Sequence, residues 1–182
     1  MITAIGLVEF SSISRGICAT DAMLKAARVE LSFAKPACPG KFVTMVFGAV
    51  GAVEESMRAG REQGGAAIVN HVLIPRVHPT LIPAINGVTV VGDVSALGVV
   101  EYFDITSAVI GADAAAKASA VSLIECRLGV GIGGKSFFKL CGQIADVESA
   151  IKAGLEASNR RGILVASCVI PSPDPALFRA MM

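Results

Sequence analysis

Residues 129–136 read GVGIGGKS and satisfy the pattern G-x-x-x-x-G-K-[ST]. In a phosphate-binding loop of that pattern the glycine-rich backbone cradles phosphates, the lysine reaches the outer ones, and the hydroxyl helps hold Mg²⁺. A second candidate is Cys38, flanked by Pro36 and Pro39 in KPACPGKF (35–42). The other polar residues carry less. His71 and His78 lie seven apart and suit core or edge hydrogen bonds. Glu54 and Glu55 are adjacent on a helical stretch, so they point in different directions and suit a solvated face. Nothing forms a nucleophile–base pair or a paired-carboxylate site, and the reading is not that of an enzyme. Five cysteines (Cys18, Cys38, Cys126, Cys141, Cys168) with no C-x-x-C argue against a disulfide framework or a single-chain zinc site.

Composition narrows what such residues serve. The chain has 182 residues, a net charge of +1, and no clustered basic stripe, which gives no field for nucleic acid. It is 53% hydrophobic and only 17% charged, against a usual charged share of about 25%. A chain so apolar either enters a membrane or buries much surface against partners. The most tempting uncharged run, FVTMVFGAVGAV (42–53), is twelve residues, whereas a spanning helix needs about 20. The first ten residues have no basic n-region and meet Glu9 early, so no signal peptide is expected. A cytosolic, oligomerising protein is the expectation.

The elements that must hold these residues occur twice. AIGLVEF (4–10) matches ALGVVEY (96–102), and DAMLKAA (21–27) matches DAAAKAS (113–119), both at an offset of 92. GAVGAVEESMRAG (48–60) meets GQIADVESAIKAG (142–154) at 94, and IPRVHPTL (74–81) meets IPSPDPAL (170–177) at 96. The chain is therefore two copies of one unit, with boundaries at 1–88 and 94–182 and a joint near 86–93. Each copy reads as strand, helix, strand, strand, helix, strand, then a short terminal helix. In the first helix Ala19, Ala22, Met23, Ala26 and Ala27 form the expected buried face. In KFVTMVFG, Phe42, Thr44 and Val46 alternate with Val43, Met45 and Phe47. The order βαββαβ predicts two tandem ferredoxin-like α+β domains. On this reading SFFKLCG (136–142) is a strand. The glycine-rich motif then joins two strands and lacks the helix N-terminus that phosphate binding requires. The matching loop of copy one, KPACPGKF, abandons the motif. The recurring Glu9 and Glu101 read as structural.

AIGLVE, DAMLKAA, PGKF…GAVGAVEESMRAG and IPRVHP resemble the shell-protein domain of bacterial microcompartments. Two such domains in unpermuted order resemble the tandem-domain trimeric shell proteins, over nearly the whole chain. The resemblance implies a homotrimer with six domains in a ring, a pseudo-hexamer. It implies that such tiles abut other shell proteins edge to edge in a microcompartment shell in the cytoplasm. It places the loop between the second and third strands at a central pore: Pro36, Ala37, Cys38, Pro39 and Gly40 in copy one, Gly129–Gly134 with Gly131, Ile132 and Gly133 in copy two. The family's edge lysine maps onto Lys25 and Lys117 and its edge arginine onto Arg76. Copy two has Ser172 there, so unequal edge contacts are expected.

For Cys38 the plain reading is a small turn residue. On an axial loop, however, threefold symmetry would bring three thiols to one point. The resemblance implies a [4Fe–4S] cluster there, one per trimer with Cys38 of each chain as ligand, serving electron or cluster transfer across the shell. An encapsulated redox enzyme is a candidate electron partner. Copy two carries Ile132 where Cys38 aligns, so three of six loops would contribute sulfur. Two other readings stay open. One is a purely structural tile or metal-free metabolite pore; the other is a redox or nucleotide enzyme of ferredoxin-like fold.

Overall fold

The computed structural model describes residues 3–89, 94–158 and 163–181. The chain divides into two compact units, residues 1–77 and 78–182. In the first, β1 (Ala4–Phe10), α1 (Ile13–Ala26), β2 (Glu30–Ala37), β3 (Lys41–Gly48), α2 (Val50–Gly64) and β4 (Ile68–Pro75) follow in order. The strands form an antiparallel sheet in the order β2-β3-β1-β4. Phe42 and Val46 of β3 and Ala4, Val8 and Phe10 of β1 meet Ala19 and Met23 of α1 and Val53 and Met57 of α2 in one core. Ser12 starts α1 by accepting a hydrogen bond from the Arg15 N–H, a side-chain N-cap.

The second unit repeats this order. β5 (Ala96–Tyr102), α4 (Ile105–Ala118), β6 (Ser122–Leu128), β7 (Ser136–Gly142), α5 (Ile144–Ala157) and β8 (Leu164–Pro171) build a sheet ordered β6-β7-β5-β8. Asp104 caps α4 through the Ser107 N–H. α6 (Pro175–Met181) places Phe178 and Met181 against Leu97, Ile124 and Cys141. The α+β expectation of two βαββαβ domains is met in both halves, and β3 and β7 span the segments expected of them. Among the described residues no helix is long and apolar enough to cross a membrane.

Repeat and packing divide the chain at different places. α3 (Leu81–Asn86) ends the first repeat, yet residues 78–88 pack in the second unit, where α3 lies on β6 and α4. Leu81 and Ala84 are fully buried there. Part of the expected joint, residues 90–93, lies outside the described residues.

The buried face of α1 also differs from the expected one. Gly16, Ala19, Thr20 and Met23 are buried, whereas Ala26 is exposed and Ala27 stands beyond the helix. The cause is local chemistry. The Thr20 hydroxyl sits 2.5 Å from that of Thr44 and donates to the Gly16 carbonyl, so this polar position satisfies itself inside. Gly16 leaves room for the Phe42 ring, which a Cβ would meet at 2.5 Å. The rotation leaves Ile13, Ile17 and Leu24 outside.

Candidate functional site

The turn carrying Cys38 is shorter than the sequence suggests. β2 runs through Pro36 and Ala37, paired with Phe42 and Lys41. Pro36 is tolerated because β2 is an edge strand, where a missing N–H costs no ladder bond. Cys38, Pro39 and Gly40 make the turn, with a cis Cys38–Pro39 peptide and Gly40 at φ 76°. That backbone favours glycine, and a Cβ at Gly40 would meet open space, so the tip is clear of other groups. Cys38 is half-buried, while Pro39 and Gly40 are exposed. One residue past the tip, Lys41 Nζ pairs with Glu9 Oε2 at 3.1 Å. The Glu9 side chain is 1% exposed, so a buried carboxylate on the central strand pins the stem of the turn.

The corresponding loop of the second unit is longer and rich in glycine. Gly129, Gly131, Gly133 and Gly134 all take positive φ, between 67° and 84°. The loop closes on itself: Gly129 N–H donates to Lys135 O and Lys135 N–H to Ile132 O. Gly131 and Gly133 are exposed and Ile132 is half-buried. Lys135 is held 3.1 Å from Glu101, and Ser136 opens β7 fully buried. The lysine and serine of the phosphate-loop pattern therefore serve an ion pair and a strand. With an antiparallel strand following, no helix N-terminus faces the loop.

The expected edge residues are exposed, but not alike. Lys25 pairs with Asp21 at 2.6 Å, both side chains more than half exposed. Lys117 pairs with Asp113, whose carboxylate is 7% exposed and also accepts the His78 backbone N–H at 2.8 Å. Arg76 and Ser172 occupy matching places despite their different side chains. Both take left-handed backbone, φ 50° and 48°. Their N–H groups donate to Thr3 O and Ser95 O, the residues just before each first strand.

One charged cluster was not singled out from sequence. Glu125 accepts from Lys139 at 2.7 Å and from Arg127 at 2.7 Å, and Lys139 also donates to the Met181 carbonyl. Copy one has Phe33 opposite Met45 at the register where copy two has Glu125 opposite Lys139. Since the repeat is apolar there, only the departure from it marks the cluster. The cysteines divide by burial. Burial raises the Cys126 thiol well above its ordinary range, with the Glu125 charge adding to the effect, and burial also raises Cys141. Cys18 and Cys168 are exposed. Among the described residues no three His, Cys, Asp or Glu side chains of one chain converge as a metal site.

Comparison with known proteins agrees with the repeat. The BMC domain model matches residues 4–77 and again 96–173. The chain is 38% identical to the bacterial microcompartment shell protein PduT of Citrobacter freundii, over 100% of this chain and 99% of that one. Among solved structures, a microcompartment protein from Desulfitobacterium hafniense superposes with a TM-score of 0.92 at 47% identity, covering 98% of this chain and 99% of the other. The fused permuted hexameric shell protein of the RMM microcompartment shares the fold at a TM-score of 0.65 and 22% identity, covering 85% and 80% of the two chains.

Proposed function

The chain belongs to the BMC-domain family of bacterial microcompartment shell proteins, with two such domains in tandem, and from that premise we propose that three copies close into a pseudo-hexagonal tile with Cys38 of each chain at its axis. The tile meets other shell proteins edge to edge through Lys25, Lys117 and Arg76, within a microcompartment shell. The three axial thiolates hold one [4Fe–4S] cluster. The observation that carries this reading is the Cys38 turn itself, a half-buried thiol on a clear tip whose stem is pinned by Lys41 and Glu9.

The donor set fits on chemical grounds. Thiolate is the ligand that iron–sulfur clusters take, ordinarily four per cluster. One sulfur per chain and three chains leave one iron for water or a small ligand. When bound, the cluster supplies one-electron chemistry. The protein's share is to fix three thiols at one point, which the short turn and its ion pair do at low cost in chain freedom. An encapsulated redox enzyme would be the electron partner on one side of the shell.

A second reading, a metal-free structural tile or metabolite pore, draws on the copy-two loop. Ile132 stands there in place of a cysteine and exposed Gly131 and Gly133 flank it. Visible absorption and EPR spectra of anaerobically purified protein, beside a Cys38→Ser variant, separate the two. A cluster signal that disappears with Cys38 supports the first; none after reconstitution with iron and sulfide leaves the second.

A further inference from the structure

The sheet of the second unit carries a charged block where the first repeat is mostly apolar. On β6 and β7, Glu125 stands opposite Lys139 and Arg127 opposite Phe137. Their counterparts in copy one are Phe33 opposite Met45 and Lys35 opposite Val43. A carboxylate and an ammonium, with side chains 18% and 8% exposed, thus replace a phenylalanine and a methionine. Such a pair costs desolvation that its apolar counterpart does not. Mutual pairing offsets part of that cost. Glu125 Oε2 takes Lys139 Nζ at 2.7 Å, and Oε1 takes Arg127 through Nε at 2.7 Å and Nη2 at 2.6 Å. Lys139 also donates to the Met181 carbonyl at 2.7 Å. Yet an ammonium has three N–H donors and a guanidinium five. The third Lys139 N–H and Arg127 Nη1 have no partner among the described residues.

Both cations line a recess of about 210 Å³, together with Glu125, Thr89 and Met181. That is below the roughly 300–1,000 Å³ of sites for drug-sized ligands, and it leaves room for a small ion and a few waters at about 30 Å³ each. Among the described residues lining the recess, Glu125 is the one carboxylate, so one positive charge is in excess. The Thr89 hydroxyl in the same wall is buried without a hydrogen-bond partner, which native folds rarely leave. We infer that this recess binds a small oxyanion, of which inorganic phosphate is the simplest member. Glu125 holds the two cations side by side, and the anion accepts charge-assisted hydrogen bonds from Arg127 and Lys139. It also supplies the acceptor that Thr89 lacks. The glycine-rich loop takes no part, since its Lys135 is engaged with Glu101. The site is built from one chain and does not depend on the trimeric tile proposed above.

The test is isothermal titration calorimetry of the intact protein with inorganic phosphate at constant ionic strength, which holds general screening fixed. The parent is expected to show saturable binding of one phosphate per chain. Lys139→Met restores the copy-one residue, and Arg127→Gln alters a side chain 51% exposed, on which the fold leans little. Each is expected to weaken binding by about tenfold or more, with circular dichroism and Tm confirming that both fold. Should Lys139→Met fold poorly, Arg127→Gln decides alone. Lys135→Ala is expected to bind phosphate as the parent does. Absence of saturable binding to the parent, or parental affinity in Arg127→Gln, would overturn the site. Binding lost with Lys135→Ala and kept in Arg127→Gln would also overturn it, and would place the phosphate at residues 129–136 instead.

Discussion

Lys135 and Glu101 stand in the second repeat as Lys41 and Glu9 stand in the first, ammonium to carboxylate at 3.1 Å in both. The lysine that completes a phosphate-loop pattern is thus the second instance of a structural pair, and the first instance lies beside Cys38. Each pair ties the end of the β2–β3 or β6–β7 connection to the central strand of its sheet. The pairs differ in burial: the Glu9 side chain is 1% exposed and that of Glu101 is 35%.

That difference sets their energetic weights. Breaking a buried pair leaves an uncompensated charge and costs about 3 kcal/mol, whereas an exposed pair contributes below about 1 kcal/mol. Lys41→Ala, which removes the ammonium paired with the buried Glu9 carboxylate, should lower the urea midpoint clearly, and Lys135→Ala should barely move it. Equal losses would show that the burial difference does not govern the two pairs.

Much of this organisation was legible in the sequence, and what was not has physical reasons. β3 and β7 were readable because alternating or continuous β-formers leave few other choices. The face of α1 was not, because alanine carries a weak burial signal and the deciding contacts are a Thr20–Thr44 hydrogen bond and a glycine under Phe42. The resemblance assigns Pro36 and Ala37 to the pore loop, whereas they end β2, where edge position lets a proline stay in the strand. The repeat located the turns and the Arg76/Ser172 correspondence. It gave α3 as a short terminal helix but not its place in the second unit, since periodicity in sequence says nothing about which unit a tail packs against. Cys38 was legible as a thiol on a turn, but the shared site proposed for it would draw its other ligands from other chains and so leaves no signature within one.

Stability should fall at alkaline pH in a way that depends on Cys126. Its thiol is pushed up by burial, so the fold favours the neutral form while the unfolded chain ionises from about pH 8.5. The unfolded state then binds fewer protons, and stability fully present below that pH is lost as pH rises above it. By pH 10 the loss amounts to about 2 kcal/mol. The Tm advantage of the parent over Cys126→Ala at pH 7 should therefore narrow by pH 10. A constant difference would show that Cys126 does not titrate on unfolding.

Lys25→Ala should impair sheet growth while leaving the trimer intact. Lys25 is 75% exposed by side chain and its pairing with Asp21 is a surface pair of little energetic weight, so its removal spares the fold. Electron microscopy of concentrated protein gives the extent of tiling, and light scattering the trimer. Sheets as extensive as the parent's would remove Lys25 from the edge.

The trimer and its axial cluster are tested together by native mass spectrometry of the anaerobically purified, intact assembly. The account predicts three chains carrying the added mass of one Fe₄S₄ unit, and three chains without it for Cys38→Ser. Three chains at polypeptide mass alone after reconstitution with iron and sulfide, or any assembly other than a trimer, would contradict it.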